Sequence, residues 1–579
     1  MDVNRIANSG TGQTLAADCG LYSVLAEWAR TDPDRPVISR KGADGWQDVS
    51  CAELAAHVDA VAGVLLDRGV RHGDRVAVLG TTRYEWAVAD LAVLSIGAVT
   101  VPIYPTASEH QVRHVLGDSG ATWSVAEDAA YGDRLRAAGA GEVWSFAEID
   151  AWRDVPADID RIREPVRADD LATIVYTSGT TGLPKGCMLT HANMYASSAN
   201  TVRQTDWLFR RASPDDSAPA ATLLSLPLSH VFGRTILLSC LIAGTRTGLV
   251  AGVPEMLGEL PGFRPTFLAL VPYALEKIRK RARSVLADDA EAAAVATGLG
   301  ATGPGGGDDR RADPSHQRVR DLLGGRLGYV ICGGASLDDT TWGFYAGVGI
   351  EILNCYGLTE AATAVTVNAP ATNRFGTVGR PIPGTTVAIA DDGEVLVSGD
   401  NVSPGYWPAA RAQAGTWLHT GDLGELDDDG FLRITGRSKE ILVTSGGKNV
   451  APTPLEDRIR LHPLVSNCML LGDGRSHVTA LVTLDAAAAA GWAAERGLGP
   501  VDEHLCRDPA LLAEIGTAVD AANALVSRAE SVRRFRVVAR DFTVDAGHLT
   551  PSMKLRRAAI AEAYAADVAA LYGNEISVA

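Results

Sequence analysis

The sequence predicts a multidomain α/β protein. A large N-terminal domain of parallel βαβ sheets, with a small β-barrel-like part, precedes a small α+β C-terminal domain. Three observations lead to this prediction. The chain of 579 residues is too long for one compact core. Strand and helix patterns alternate over roughly its first two-thirds, and short alternating strands follow from about Gly379. We predict domains at 1–436 and 441–579, with the boundary at 437–440.

The N-terminal part shows a strand–helix–strand pattern that joins parallel strands. The stretch "RVAVLG" (75–80) is typical of a buried strand, "RYEWAVADLAVLSIGA" (83–98) of a helix, and "VTVPIY" (99–104) of the next strand. Such a βαβ unit places its two strands side by side in a parallel sheet. The same pattern returns at 221–228, 235–244 and 329–334.

Later segments of the chain have different sequence patterns. Residues 283–318 lack aromatic residues and apolar periodicity, and we predict a mobile surface excursion there. Residues 385–400 predict a hairpin that turns at Asp391-Asp392-Gly393, and 430–437 a further strand. After the boundary at Arg437–Glu440, the predicted elements are strands near 465–471 and 478–484, helices near 508–527, and a closing helix at 555–571.

Composition excludes some classes of function. The net charge of −17 argues against a nucleic-acid binder, which needs a basic face. No apolar run has the length of a membrane span, so we predict no integral membrane segment. The eight cysteines are scattered, without C-x-x-C pairs or metal-ligand spacing, which favours reduced thiols in a cytoplasmic protein. The sequence leaves a homodimer open.

The stretch "YTSGTTGLPKG" (176–186) has the features of an anion site. It follows a predicted strand, Leu171–Tyr176, and combines glycine turns with four hydroxyl side chains and Lys185. Successive backbone N–H groups at glycines form a concave anion site. The pattern is not the Walker sequence, in which Gly-Lys is followed directly by Ser or Thr. We predict a triphosphate cradle, and the alternative is a solvated polar loop.

Four more stretches place chemically useful side chains on turns. "NCYGLTE" (354–360) follows a strand and ends in Glu360, a candidate ligand of a divalent ion, or else a surface glutamate. "HTGDLGEL" (419–426) places Asp422 where a carboxylate can accept both hydroxyls of a ribose, or form an Asx turn. "GRSKEILVTSGGKNVAP" (436–452) and "HLTPSMKLRRA" (548–558) add glycine loops and basic residues, among them Lys554.

Together these stretches resemble the adenylate-forming superfamily, which includes acyl-CoA synthetases, nonribosomal adenylation domains and firefly luciferase. The motifs occur in the family's order over nearly the whole chain. They are most similar to those of bacterial long-chain fatty acyl-CoA ligases: "YTSGTTGLPKGCMLTH", "LPLSHVFGR", "YGLTE", "TGDLG", "SGGKNVAP" and "LTPSMKLRR".

The resemblance implies ATP, Mg²⁺ and CoA as cofactors and assigns roles to individual residues. Glu360 would bind Mg²⁺, and Glu360, Thr181, His230 and Lys554 would be catalytic. ATP would contact Thr177, Ser178, Gly179, Thr180, Thr181, Lys185, Gly333, Gly334, Ala335, Asn354, Cys355, Tyr356, Gly357, Thr359, Asp422 and Arg437. The connector 437–440 would be a hinge at Lys439, about which a small, mobile C-terminal domain turns, and CoA would contact Ser445, Gly446, Gly447 and Lys448. The acyl pocket would include His230, Val231, Gly233, Ala361 and Ala362, although a lone histidine such as His230 is more often a core residue.

The chemistry of acid activation supports these roles. A carboxylate is a poor electrophile, and its transfer to the α-phosphate of ATP supplies AMP as a leaving group. Charge accumulates in that step, which calls for Mg²⁺ and a lysine at the reacting oxygens. The second step needs a thiol channel instead. A rotating C-terminal domain, with Lys554 on one face and the Gly446–Gly447 loop on another, would serve both steps.

Some residues depart from the family pattern. Small residues occur where relatives often have larger or polar ones, at Gly233, Ala361 and Ala362. This suggests a wide acyl pocket, and a bulky polycyclic acid is therefore an alternative substrate to a long linear fatty acid. A ligase specialised for thioesterification, an enzyme that loads a carrier-protein thiol, and an inert binding protein are further alternatives. A serine acyl-enzyme is suggested only by the S-x-x-K of Ser445–Lys448, without its companion motifs.

Overall fold

A computed structural model describes residues 3–42, 45–156, 164–177, 183–282, 290–300, 316–408, 417–550 and 553–573. The chain divides into two compact units. The large unit comprises Met1–Thr420 and Gly424–Ile434, and the small unit comprises Gly421–Leu423 and Thr435–Ala579. The predicted boundary at Arg437–Glu440 lies within the small unit.

The first predicted βαβ unit is present in a seven-stranded sheet. Strand Arg75–Leu79 runs parallel to Val99–Ile103, and helix Tyr84–Ser95 joins them. The helix is apolar on nearly all sides and is buried on all of them, as such a pattern requires. In spatial order the strands are Gly405–Tyr406, Lys185–Thr190, Leu171–Thr177, Val99–Ile103, Arg75–Leu79, Trp123–Ala126 and Glu142–Ser145. The last five are mutually parallel, which confirms the predicted parallel sheet.

Two further sheets of the large unit are also mainly parallel. One consists, in order, of Ala221–Leu224, Arg246–Leu249, Pro36–Gly42 and Gly45–Ser50. The other consists of Phe267–Leu270, Tyr329–Cys332, Glu351–Tyr356, Thr366–Val367 and Arg380–Pro381, of which the first three are parallel. These elements confirm the strands predicted within 221–228 and 329–334. The segment 235–244 lies almost entirely in helix Val231–Ala243.

The part predicted to be β-barrel-like is a five-stranded sheet. Its order is Val3–Asn8, Thr385–Ala390, Glu394–Gly399, Leu418–Leu426 and Leu432–Arg437. The predicted hairpin is confirmed: Thr385–Ala390 pairs antiparallel with Glu394–Gly399. Its turn contains Gly393 at a positive φ of 85°, and the Asp392 carboxylate accepts a hydrogen bond from the N–H of Glu394.

Several helices of the large unit begin at recognisable caps. Ser50, Ser108, Ser145 and Thr190 each form a capping box with the residue three positions later, which satisfies backbone N–H groups of the first turn. The helices are Ser23–Thr31, Cys51–Asp67, Tyr84–Ser95, Glu109–Ser119, Ala129–Ala137, Phe146–Ala151, His191–Gln204, Val231–Ala243, Val253–Phe263, Pro272–Ala282, Ala290–Gly300, Gln317–Leu322 and Asp339–Gly347.

The predicted surface excursion at 283–318 is wrong for residues 290–300. They form a helix that packs on helix Asp339–Gly347, and Ala294 is fully buried. Glycine and alanine make this contact: a Cβ at Gly298 would lie 1.9 Å from the carbonyl oxygen of Gly343. The helix packs mainly by close backbone approach at its glycine and alanine residues, with the Leu299 side chain also against Gly343, so a regular spacing of large apolar side chains is absent. Residues 283–289 and 301–315 lie outside the described residues.

The small unit contains a three-stranded sheet flanked by helices. Strand Val465–Leu471 pairs antiparallel with Val478–Leu484, which runs parallel to Val532–Val538. The strands predicted at 465–471 and 478–484 are confirmed. A two-stranded hairpin, Leu442–Val443 with Asn449–Val450, accompanies them. The helices are Pro452–Arg460, Ala486–Glu495, Pro509–Asn523, Arg557–Ala563 and Ala565–Leu571.

The closing helix, predicted to be continuous over 555–571, is interrupted at Tyr564. There φ is −109° and ψ is 28°, outside the helical range. The Tyr564 hydroxyl donates to the carbonyl oxygen of Arg540 at 3.0 Å, and its ring packs on Phe542 and His548. These tertiary contacts hold the tyrosine in place and divide the helix.

A buried ion pair joins four elements in the core of the large unit. Arg234, on helix Val231–Ala243, donates to both carboxylate oxygens of Asp90 at 3.0 and 2.7 Å, and also to the Thr173 hydroxyl at 2.7 Å. The Thr100 hydroxyl donates to the same carboxylate at 2.7 Å. The pair therefore fixes the position of this helix against strands Val99–Ile103 and Leu171–Thr177, and the second of these strands ends at the predicted phosphate-binding residue Thr177.

All eight cysteines are free thiols. Within the described ranges, none of the helices combines the length and the apolar character that a membrane span needs.

Candidate active site

Two antiparallel strands present the ends of the predicted phosphate loop. Leu171–Thr177 pairs with Lys185–Thr190, and Thr177 lies directly opposite Lys185 at the loop end of the hairpin. Thr177 is half-buried and Lys185 is exposed. Four predicted phosphate-binding residues, Ser178, Gly179, Thr180 and Thr181, lie outside the described residues. The hairpin thus positions the lysine at the mouth of the loop that the sequence predicts to bind phosphates.

The residues predicted to surround adenine come together at the ends of neighbouring parallel strands. Cys332 is paired with Asn354 in the register, so Gly333–Ala335 and Cys355–Gly357 follow at the same edge of the sheet. The Cys355 thiol donates to the carbonyl oxygen of Cys332 at 3.3 Å. A Cβ at residue 333 would lie 2.6 Å from that sulfur. In open parallel sheets, ligands bind at this carboxyl edge.

The loop after Tyr356 is tightly folded and strained. A Cβ at Gly357 would lie 1.3 Å from the carbonyl oxygen of Thr363, so only glycine is tolerated there. Ala362 and Thr363 have positive φ values of 47° and 91°, unusual for residues with side chains. The Thr235 hydroxyl holds this turn, at 3.2 Å from the Ala362 carbonyl oxygen and 3.0 Å from the Thr363 hydroxyl. Such strain is often found at functional sites.

Glu360 lies in a short 3₁₀ turn of this loop, Thr359–Ala361, with Thr359 beside it. The Tyr406 hydroxyl donates to one oxygen of its carboxylate. Lys185 Nζ lies 5.8 Å from the centre of the same tyrosine ring. The structure therefore brings the predicted phosphate lysine and the predicted metal ligand to two sides of one aromatic residue.

Sequence reasoning missed Tyr406. Its surroundings, "SPGYW", form a two-residue strand, Gly405–Tyr406, which is too short for a recognisable pattern. Its position near the site follows only from the pairing of that strand with Lys185–Thr190, which lies far away in the chain.

The donor set suits Mg²⁺. Among the described residues no three His, Cys, Asp or Glu side chains converge as metal ligands. Magnesium is usually held by one or two carboxylates together with substrate phosphates, rather than by an all-protein cage. Glu360, which contacts the same tyrosine as the predicted phosphate lysine, would fit that arrangement.

His230 caps the helix that contains Arg234 of the buried ion pair. Its Nδ1 accepts a hydrogen bond from the N–H of Phe232 at 3.0 Å, at the start of Val231–Ala243. A neutral His230 therefore carries its proton on Nε2. Its ring lies 6.2 Å from that of Tyr104, whose pKa is raised above its ordinary value by burial. His230 is half-buried, while Val231 is fully buried beside it.

The wide acyl pocket inferred from small residues is not supported. A Cβ at Gly233 would lie 2.4 Å from the carbonyl oxygen of Pro227, so the missing side chain allows close backbone packing and does not widen a pocket. Ala361 and Ala362 have no accessible surface and pack in two hydrophobic cores. The prediction was wrong because a small residue in a sequence does not reveal whether it faces a cavity or a neighbouring backbone.

Within the small unit, Asp422 and Arg437 form an ion pair. Arg437 Nε donates to an oxygen of the Asp422 carboxylate at 2.7 Å. The Asp422 side chain is 4% exposed, whereas that of Arg437 is 44% exposed. Lys439 follows in an exposed 3₁₀ turn, Ser438–Glu440.

The two predicted functional loops of the small unit are both exposed turns. Ser445–Lys448 forms the loop of the hairpin, where Gly447 has a φ of 76° and the Gly447 N–H donates to the carbonyl oxygen of Thr444. Lys448 forms an ion pair with Glu530 at 3.4 Å. Lys554 lies in a tight turn that the Thr550 hydroxyl closes by accepting from the Lys554 N–H at 3.0 Å.

Comparison with known proteins identifies the family of the chain. Residues 25–407 match the model for AMP-binding enzymes, and residues 439–575 match the model for the C-terminal domain of AMP-binding enzymes. A long-chain-fatty-acid–CoA ligase, FadD15 of Mycobacterium bovis, is 39% identical over 597 residues, covering 97% of this chain and 98% of the relative. The long-chain-fatty-acid–CoA ligase ACSBG2 of Xenopus laevis is 27% identical, covering 95% of this chain and 83% of the relative.

Solved structures share the fold. The adenylation domain of a carboxylate reductase from Mycobacterium chelonae matches with a TM-score of 0.75 at 23% identity, covering 96% of this chain and 91% of that one. O-succinylbenzoate CoA synthetase from Bacillus subtilis, in complex with AMP, matches with a TM-score of 0.69 at 22% identity, covering 93% and 98%.

Proposed function

This chain belongs to the AMP-binding enzyme family, and from that premise we propose that it is an AMP-forming acyl-CoA ligase. It joins a hydrophobic carboxylic acid to CoA at the expense of ATP, releasing AMP and pyrophosphate. The observation that supports this most strongly is the match to a long-chain-fatty-acid–CoA ligase over nearly the full length of both chains. The convergence of Lys185, Glu360 and the adenine-side strand ends in the large unit supports the same chemistry.

In the first step, a carboxylate oxygen of the acid attacks the α-phosphate of ATP and pyrophosphate leaves. Lys185 and the phosphate loop would hold the β- and γ-phosphates, and Thr359 would contact the α-phosphate. Glu360 would hold Mg²⁺, which neutralises charge that develops on the phosphate oxygens. His230, with its proton on Nε2, would donate to the carboxylate of the acid.

In the second step, the thiol of CoA attacks the acyl carbon of the adenylate and AMP leaves with the bonding electron pair. We propose that the small unit serves the two steps in two orientations. Lys554 would stabilise charge at the reacting oxygens in the first, and the Ser445–Lys448 loop would line the thiol channel in the second. Asp422 would accept the ribose hydroxyls, with Arg437 holding that carboxylate in place.

Lys439 would be the hinge. It lies in an exposed turn where a change in φ and ψ meets little steric resistance, as hinge positions require. A domain of residues 441–579 that turns about 437–440 therefore remains our proposal for how one protein performs two incompatible steps.

The substrate we favour is a long linear fatty acid. The relatives at 39% and 27% identity are both long-chain fatty-acid ligases, and Gly233 offers no extra width for a polycyclic acid. The eight free thiols are consistent with the cytoplasmic location predicted from the sequence. A homodimer stays a prediction, which analytical ultracentrifugation tests.

Separate assays of the two half-reactions test the proposal. Lys554→Ala should lose about 2.7–4 kcal/mol of transition-state stabilisation in adenylation, roughly a 10²–10³-fold lower rate. Conversion of a supplied acyl-adenylate with CoA should stay close to wild type. Lys277→Ala, which removes an exposed lysine of the large unit, is the matched control. Equal losses in both half-reactions would remove Lys554 from its role, and transfer to a carrier protein but not to CoA would favour a carrier-loading enzyme.

A further inference from the structure

Tyr406 contacts the carboxylate that the proposed function assigns to magnesium. Its hydroxyl donates to Oε1 of Glu360, so that oxygen has a hydrogen-bond partner from the protein. A carboxylate with one oxygen engaged in this way can no longer rotate freely about its terminal torsion. The tyrosine itself is 37% exposed, so the contact lies at the surface of the site and not in the core.

The backbone around Tyr406 is held on both sides. The N–H of Ser403 donates to the carbonyl oxygen of Glu360 at 2.8 Å, and the N–H of Trp407 donates to that of Gly186 at 2.7 Å. Tyr406 pairs with Cys187 in the register. Residues Ser403–Trp407, here called the strap, thus connect the loop that contains Glu360 to the strand that begins at Lys185.

The same tyrosine contacts the phosphate-loop lysine. Lys185 Nζ lies 5.8 Å from the ring centre, within the range of a cation–π interaction. In the contact with Glu360 the phenol hydroxyl is the donor, because an ionised carboxylate can only accept.

We propose that Tyr406 is a positioning residue, which orients the Glu360 carboxylate as a magnesium ligand and so sets the magnesium requirement of adenylation. This inference rests on the proposed function, in which Glu360 holds the metal. The hydrogen bond at Oε1 holds the carboxylate in one orientation, in which its remaining lone pairs would be available to the ion. Partners that orient metal ligands in this way usually change metal affinity or activity 10–100-fold when they are removed, as a rough guide.

A purely structural role of Tyr406 makes a different prediction. If the residue only completed the pairing of the strap, its loss would lower thermal stability and reduce activity at every magnesium concentration alike. An orienting role shifts the metal concentration at half-saturation and leaves the rate at saturating metal close to wild type. The hydroxyl group, and not the ring, would be responsible.

The test is a Mn²⁺ titration in the presence of ATP, with free Mn²⁺ measured by electron paramagnetic resonance. Tyr406→Phe keeps the ring and its contact with Lys185 but removes the donor. We expect it to weaken apparent Mn²⁺ affinity about 10–100-fold. The Mg²⁺ concentration at half-maximal pyrophosphate release should rise by the same factor. Tyr22→Phe removes another tyrosine–carboxylate hydrogen bond of the large unit, to Asp59, and should change neither quantity.

Glu360→Gln separates this inference from the proposed function. It should weaken Mn²⁺ binding, and Tyr406→Phe added to it should have no further effect, because both act through one carboxylate. If Glu360→Gln weakens Mn²⁺ binding while folded Tyr406→Phe retains wild-type affinity, the inference is wrong and the proposed function stands. If additive losses appear in the double variant, Tyr406 does not act through Glu360. Acyl-CoA formation by the wild type decides the proposed function independently.

Discussion

The buried ion pair between Asp90 and Arg234 gives a prediction about stability. The Arg234 side chain is 1% exposed and that of Asp90 is 8% exposed, so removing either partner leaves a charge in the core without its counter-ion. Breaking such a pair typically costs about 3–5 kcal/mol. We therefore expect Asp90→Leu and Arg234→Met each to lower the free energy of unfolding of the large unit by about that amount.

The double variant should be less damaging than either single one. Replacing both charges by apolar side chains removes the desolvation penalty together with the attraction, and such replacements are often nearly neutral. The hydroxyls of Thr100 and Thr173, which contact the pair, would then lose these hydrogen-bond partners. Part of the destabilisation should therefore remain in the double variant. A double-mutant cycle on these two positions measures the coupling directly.

Urea denaturation followed by tryptophan fluorescence is a suitable assay. Of the 11 tryptophans, only Trp492 belongs to the small unit, and the Trp86 ring lies 5.8 Å from the Arg234 guanidinium. Asp133→Asn, which removes an exposed ion pair with Arg136, should have no measurable effect. Single variants that cost less than about 1 kcal/mol, or losses that simply add in the double variant, would refute the reasoning.

Three further predictions concern other residues. Burial lowers the pKa of His191 from 6.5 to about 4; below pH 6.5 the unfolded chain binds a proton that the folded one does not, so stability falls as pH drops toward 4. The loss is about 3 kcal/mol, and pH-dependent denaturation of His191→Gln should lack this part of it. Gly233→Ala should destabilise the large unit by about 1–3 kcal/mol through its contact with Pro227, and an unchanged or raised melting temperature would contradict the close backbone packing. Lys439→Pro, which fixes φ near −65°, should reduce thioester formation from supplied adenylate far more than adenylation. Wild-type rates in both half-reactions would exclude Lys439 as the hinge.

Sequence patterns predicted the elements whose burial depends on large apolar side chains. Strands 465–471 and 478–484 were predicted with their observed bounds, because buried valines and leucines mark their lengths. Helix Ala290–Gly300 escaped prediction because alanine and glycine make its contacts, and these residues lack an apolar signal. The break at Tyr564 comes from tertiary contacts of its side chain.

In the candidate site, too, some residues could be predicted from the sequence and others could not. Motif residues such as Glu360 and Lys185 could be named from the sequence, because short glycine-rich stretches contain them. Tyr406 and the Asp90–Arg234 pair could not, because their partners are distant in the chain and only the fold brings them together. Gly233 was recognised as unusual but given the wrong cause, since a sequence does not show which atoms lie next to a missing side chain.

Product analysis tests the central claim most directly. The wild-type protein is incubated with ATP, Mg²⁺, CoA and a long-chain fatty acid, and the products are identified by mass spectrometry and phosphorus NMR. We predict the acyl-CoA thioester, AMP and pyrophosphate in equal amounts, and pyrophosphate release that depends on the acid. Formation of ADP and inorganic phosphate instead would contradict the adenylate mechanism.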